Sequence, residues 1–141
     1  MDNTYRDQIG EDFVRRYLSA AIVPVSNGSR TSPTDLVIAG QHFEVKTASL
    51  GANGTFQFNH VRLDRTYNYL LCLGICPDRI VFNAWRKGVI SEGGAGSLVR
   101  MAEGQSTTHR LTKRLAEMNP IEELVGWIRE EAQATNPRTL A

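Results

Sequence analysis

The stretch Asp35-Leu36-Val37-Ile38-Ala39-Gly40-Gln41-His42-Phe43-Glu44-Val45-Lys46-Thr47 decides how this chain is read. Two β-rich runs flank Gly40, the pattern of a hairpin. Glycine at the first central position, followed by Gln41, suits a two-residue type II′ turn. That turn pairs Ile38 with Phe43, Val37 with Glu44, Leu36 with Val45 and Asp35 with Lys46. Side chains alternate between the faces of a strand. Leu36, Ile38, Phe43 and Val45 then share one apolar face, and Asp35, Glu44 and Lys46 share the other. Asp35 and Glu44 become diagonal neighbours, roughly 7–8 Å apart at the backbone, close enough for both carboxylates to reach one ion. A slip of one residue would bring Phe43 and Val45 to the face of Asp35 and separate the three charges.

On the N-terminal side, Ile9 to Ala21 reads as a helix. Ile9, Phe13, Tyr17, Leu18 and Ala21 recur at three- and four-residue spacing. Ala21 to Val25 reads as a short strand in which Pro24 favours an edge position. Ser26 to Thr34 is a loop by composition. On the C-terminal side, Asn53-Gly54 marks a loop, and Phe56 to Arg62 leads into a short basic helix around Leu63 to Asn68. Tyr69 to Cys76 and Arg79 to Trp85 are two more strands joined at Pro77-Asp78. Residues 91–110, rich in Gly, Ser and Thr, carry no clear element. Pro120 to Ala132 reads as an amphipathic helix with Asn119 as N-cap, Pro120 at N1 and Ile121, Leu124, Val125 and Ile128 as its stripe. The expected fold is α/β, one mixed central sheet flanked by helices. Residues 1–134 form the domain and 135–141 a frayed tail.

The chain has 141 residues, 41% hydrophobic and 22% charged, the composition of one globular domain. No apolar run approaches the roughly 20 residues that span a bilayer, and the polar N-terminus lacks the apolar core of a signal peptide. A cytoplasmic protein with no membrane partner is the expectation. Cys72 and Cys76, four apart on one strand, lie roughly 13 Å apart along its axis, too far for one disulfide or one metal. They read as reduced, mostly buried thiols. No Walker or dinucleotide fingerprint is present, so no nucleotide cofactor is expected. Net charge is only +1, yet residues 117–141 hold five acidic residues against two basic, which leaves the rest mildly basic. Such a body can present a local phosphate-binding face.

Two hard carboxylates with open positions suit Mg²⁺, with Mn²⁺ as a substitute. A cation held there can polarise a phosphoryl oxygen, and Lys46 can orient or deprotonate a water and offset charge developing on phosphorus. The carbonyl of Val45 lies between Glu44 and Lys46 as a further ligand. A plain cross-strand ion pair between Asp35 and Lys46 is the structural alternative.

Pro33-Thr34-Asp35 followed by Glu44-Val45-Lys46 resembles the PD-(D/E)xK nuclease superfamily. The likeness extends over about residues 9–85. An extra Thr separates Pro33 from Asp35, and the spacing of Asp35 from Glu44 is short for the family. The resemblance implies a restriction-endonuclease-like domain that hydrolyses DNA phosphodiester bonds. Asp35 and Glu44 would hold the metal and Lys46 would assist the water. It also implies a metal-directed role for Glu11, in Gly10-Glu11-x-x-Val14, and a catalytic role for Gln57, in Phe56-Gln57-Phe58-Asn59. The bland readings are a solvated helix residue and a loop amide. His60, Arg62 and Arg65, and in a second polar-basic stretch (Ser106 to Arg114) His109 and Arg110, are candidates for DNA contact; His42 reads as a surface residue at the turn. Cutting both strands would need a homodimer. Restriction-like and structure-specific cleavage both stay open, as do a non-catalytic DNA-binding or assembly module on the same fold and an antitoxin-like protein-binding role.

Overall fold

The hairpin forms, but it turns one residue earlier than the sequence suggests. The computed structural model describes residues 3–21, 23, 25–27, 35–63, 66–101 and 108–135, with the backbone alone at residues 3–7, Asn27, Asp35 and residues 132–135. Asp35 pairs with Glu44, Leu36 with Phe43, Val37 with His42 and Ile38 with Gln41. Ala39 (φ 50°) and Gly40 (φ 83°) are the central residues. Two positive φ angles define a type I′ turn, whose twist matches that of the flanking strands, so the expected II′ turn at Gly40-Gln41 is corrected. The pairing moves by two residues. Because the side-chain period is also two, the faces survive: Leu36, Ile38, Phe43 and Val45 all enter one buried cluster.

In chain order the elements are α1 (Asn3–Ala20), β1 (Val25–Asn27), β2 (Asp35–Ile38), β3 (Gln41–Ser49), β4 (Thr55–Val61), β5 (Tyr69–Ile75), β6 (Ile80–Arg86), α2 (Lys87–Ser91), β7 (Leu98–Met101), β8 (Thr108–Arg114), β9 (Asn119–Pro120) and α3 (Leu124–Thr135). They build two sheets, of order β1-β2-β3-β5-β6-β9 and β4-β8-β7. The only parallel pairing among the described strands is β3 with β5. The fold is therefore mixed α/β with mostly antiparallel strands, and the single sheet expected from the sequence is corrected to two. Both edges of β3 are taken, by β2 and β5, so β4 cannot join beside it. After the tight turn at Gly51 to Gly54 it folds over the large sheet instead, with Phe56 and Phe58 fully buried.

Other boundaries also move. Helix α1 starts six residues before Ile9, and Ile9 is 46% exposed; from Gln8 onward the residues it buries are Gly10, Glu11, Val14 and Leu18, while Phe13 and Tyr17 stack at its margin. Ser26 and Asn27 belong to β1; Ile22, Pro24 and residues 28–34 lie outside the described residues. The basic helix expected near Leu63 to Asn68 does not form among the described residues. Arg62 and Tyr67 are instead tied by a Tyr67 hydroxyl bond to the Arg62 carbonyl (2.6 Å), because the Tyr67 ring is buried in the core. Residues 91–110 supply β7 and the start of β8. Asn119-Pro120 pairs with Phe82 and Val81 instead of capping a helix, and a 3-10 turn (Ile121–Glu123) leads into α3. Proline is tolerated in such an edge strand because its missing N–H is not needed there. Cys72 and Cys76 are both buried, and no disulfide joins them.

The large sheet separates two cores. One holds Val14, Leu18, Leu124 and Ile128 against Phe43, Val45, Leu71 and Leu73, so α1 and α3 cover that face. The other holds Phe56, Phe58, Val61 and Leu111 against Ala48, Leu70 and Cys72, so the small sheet covers the opposite face.

Candidate functional site

Alternation along β3 sends Phe43 and Val45 toward the helices and Glu44, Lys46 and Ala48 toward the small sheet. The parallel register places Glu44 beside Leu70 and Lys46 beside Cys72. Glu44 is 6% exposed and Lys46 9%, and Lys46 Nζ stands 3.9 Å from Glu44 Oε1. Two opposite charges are thus held together at the edge of a core, on a rigid inner strand.

Asp35 is not paired with Lys46, as the sequence register had it, but with Glu44. Direct cross-strand partners have Cβ atoms about 4.5–5.5 Å apart, nearer than the diagonal separation expected. The correction brings two acidic residues closer and removes the plain Asp35–Lys46 cross-strand pair as the reason for the pattern. Like charges placed directly opposite are destabilising unless a cation lies between them. An oxygen-only donor set of this kind matches Mg²⁺, which binds through one or two carboxylates and keeps several waters. The side chain of Val45 is fully buried toward the helices, so its carbonyl is the group it can offer. Among the described side chains no three of His, Cys, Asp and Glu gather at metal-binding range, and the side chain of Asp35 falls outside that set.

Glu11 arrives from α1. Gly10 lies on β3 so closely that a Cβ built there would meet Thr47 Oγ1 at 1.9 Å and Leu73 Cδ1 at 3.3 Å. This contact explains a glycine inside a helix, where it otherwise costs about 1 kcal/mol relative to Ala. Glu11, the next residue, is 6% exposed and not a solvated helix residue. Arg15, one turn on, donates from Nη2 to Glu11 Oε1 at 2.6 Å and from Nη1 to Asp12. Sequence reasoning passed over Arg15, although a Glu–Arg pair four residues apart on a helix is the signal that finds it.

The candidate DNA contacts converge around an irregularity in β4. Register slips between Phe58 and Val61, and His60 has φ 60°, so one extra residue bulges out. Val61 pairs with His109, and Arg110 Nε donates to Asn59 Oδ1 at 2.8 Å. His60, Arg62, His109 and Arg110 are therefore neighbours, and the His60 N–H meets Met101 Sδ at 3.4 Å. Arg65, Ser106 and Thr107 lie outside the described residues. Gln57 is exposed and pairs in register with Thr112, on the opposite side of β4 from Phe56 and Phe58. It thus faces away from the interior between the sheets. His42 is exposed, as expected.

Lys113 is the buried cation that the sequence did not single out for burial. Its Nζ donates to the Ala95 carbonyl, stands 3.2 Å from Glu117 Oε2 and lies 5.6 Å from the centre of the Trp85 ring. Its surroundings make it a structural tie. A concavity of about 510 Å³ on the outer side of α1, lined by Ile9, Asp12, Phe13, Arg16 and Tyr17, includes none of the Glu44–Lys46 group.

No protein-family model matches the chain, and no curated protein matches it. Among solved structures, one titled "Crystal Structure of MepB" is similar with a TM-score of 0.40 and 9% identity over 73% of this chain and 77% of that one. Similarity at that level assigns neither a fold family nor an activity.

Proposed function

We propose that this chain is a metal-dependent endonuclease on a restriction-endonuclease-like variant of the fold, with Asp35, Glu44 and Lys46 as its centre. The observation that carries the reading is the pairing of Asp35 with Glu44 beside a buried Lys46 3.9 Å from Glu44. Asp35, Glu44 and the Val45 carbonyl would hold Mg²⁺, or Mn²⁺ in its place. When bound, such an ion supplies Lewis-acid polarisation of a phosphoryl oxygen. The chain itself supplies the rest. Glu44 and Lys46, held on one strand, keep a fixed geometry toward a phosphodiester. The Lys46 N–H groups can orient an attacking water and offset charge on the phosphoryl oxygens as the bond to the leaving oxygen breaks. The resemblance would add Glu11, bonded by Arg15 on α1, as a further carboxylate. A cut through both strands requires two copies, one site for each.

The test is cleavage of plasmid, linear single-stranded and four-way-junction DNA with Mg²⁺ or Mn²⁺, comparing the native chain with Asp35→Ala and Lys46→Ala. Metal-dependent cutting that both substitutions abolish supports the reading. Discrete fragments from plasmid would mark a restriction-like enzyme, and preference for the junction a structure-specific one. No cutting of any substrate, with DNA binding unchanged by the substitutions, moves the chain to a non-catalytic DNA-binding module.

A further inference from the structure

We propose that the outer face of α1 joins two copies of this chain, antiparallel about a two-fold axis, with Asp12 of each copy against Arg16 of the other. The nuclease reading asks for two copies without assigning a surface, and this contact stands on the helix alone. Its first support is an apolar ridge that the fold leaves uncovered. From Gln8 onward α1 buries Gly10, Glu11, Val14 and Leu18 against the large sheet. A surface helix normally turns charged and polar residues to the other side. Here Ile9, 46% exposed, leads a row that continues through the half-buried rings of Phe13 and Tyr17, stacked with centres 5.7 Å apart. Residues that recur every four form one continuous ridge along a helix. With Asp12 and Arg16 these three line a concavity of about 510 Å³. An exposed apolar patch rimmed by polar groups marks an interaction site.

The second support is the charge beside that ridge. Asp12 and Arg16, both exposed, stand four residues apart in the neighbouring row. Arg15 is bonded to Glu11 and to Asp12, whose side chain stays 53% exposed. Arg16 has no hydrogen bond or ion pair among the described residues. An acid and a base at this spacing complement their own copy when it is turned end for end. A two-fold axis level with Val14 sets each Asp12 opposite the Arg16 of the other copy, twice over. Parallel helices would set like charge against like. The ridge Ile9, Phe13, Tyr17 of one copy then lies in the groove between that ridge and the row of Asp12 and Arg16 in the other, the helices crossing at roughly −50°. The aromatic rings form a dry centre and the two ion pairs a polar rim, which is how protein interfaces are built. A uniformly basic or acidic partner would meet one of the two charges with its like, so a second copy is the occupant that fits.

The experiment is sedimentation of the native chain across a range of concentrations, without DNA or divalent metal, with a melting curve at each concentration. The mass is expected to rise toward twice that of one chain. The melting temperature should rise with it, because association stabilises the folded chain by mass action. Arg16→Asp, which sets acid against acid, Asp12→Arg, which sets base against base, and Ile9→Lys, at an exposed position, are each expected to weaken the dimer at least about tenfold, ~1.4 kcal/mol. Asp12→Arg combined with Arg16→Asp should restore it, since the reversed pattern is still complementary to itself. Glu130→Lys, on α3, should leave it unchanged. Melting at the lowest concentration identifies any variant that fails to fold, and Arg16→Glu and Ile9→Ser serve as replacements. A single-chain mass at every concentration overturns the proposal; if Ile9→Lys then also lowers the melting temperature, the face belongs to a segment of the chain itself. A dimer unmoved by Ile9→Lys and Arg16→Asp overturns it as well and puts the contact elsewhere. So does a dimer that the double variant fails to restore, which removes the antiparallel pairing. DNA cleavage enters none of these measurements, so failure of the dimer contact and failure of the nuclease reading are told apart.

Discussion

Gly10 of α1 rests on Thr47 of β3 with no room for a methyl group: a Cβ at residue 10 would stand 1.9 Å from Thr47 Oγ1. This contact sets how near α1 comes to the strand that carries Glu44 and Lys46. Gly10→Ala is therefore expected to destabilise the chain. Overpacking costs about 1–3 kcal/mol, and the better helix propensity of Ala returns about 1 of that. Urea denaturation of Gly10→Ala, Thr47→Ala and the double variant checks it. The double variant should be more stable than the sum of the two single effects implies, because the hydroxyl that the methyl strikes is gone.

Ala39 adopts φ 50° at the tip of the hairpin. A residue with a Cβ pays strain in that region, and Asn tolerates it best after Gly. Ala39→Asn is expected to stabilise the chain by about 0.5–1 kcal/mol, and Ala39→Val to destabilise it. Thermal melting decides between this and the II′ turn, in which residue 39 is not left-handed and the order need not hold.

Asp35 opposite Glu44 places two acids across one ladder step. Without divalent metal, Asp35→Asn is expected to stabilise the chain by roughly 0.2–1 kcal/mol, since like charges directly opposite repel. With Mn²⁺ or Mg²⁺ the order should reverse: metal raises the melting temperature of the native chain and not that of the variant. Melting with and without EDTA reads both. An equal metal response in the two proteins would remove Asp35 from the metal site.

Glu117 accepts the Arg114 backbone N–H at 2.9 Å and lies beside Lys113, and these partners hold its carboxyl at about 2 instead of the ordinary 4.5. The folded value is the lower one, so the ionised carboxylate stabilises the fold. Its contribution is complete above the ordinary value and is lost as pH falls toward the folded value. Glu117→Gln should thus lower stability at neutral pH and flatten the loss between about pH 4.5 and 2. The side chain is 35% exposed, and screening keeps the effect within about 1 kcal/mol. Denaturation midpoints across that range test it. Identical acid limbs for the two proteins would contradict it.

The features legible in the sequence are those with a local cause. The hairpin, the strands near Tyr69 to Cys76 and Arg79 to Trp85, and the buried C-terminal stripe all follow from periodicity, which needs no knowledge of distant residues. Helix α1 was legible as a helix but not in its buried face. That face depends on Gly10 meeting Thr47, and Ile9 lost its expected place for that reason. The stretch 91–110 stayed unread because β7 and β8 are short and are strands by virtue of the sheet they join. The slope from Phe56 into a helix failed for a related reason: Tyr67 is drawn into the core and carries its segment with it.

The sequence by itself determined which residues of the hairpin share a face, because alternation has a period of two and survived an even shift in register. Only the tertiary structure decided that Asp35 faces Glu44 and not Lys46, since the turn was chosen by the backbone twist that both strands demand. It alone decided that β4 leaves the plane of its neighbours, because β5 had already taken the edge of β3. The same step put the small sheet on one face and α1 and α3 on the other. Which layer a segment covers depends on which edges and faces remain unburied, and that is a property of the whole chain.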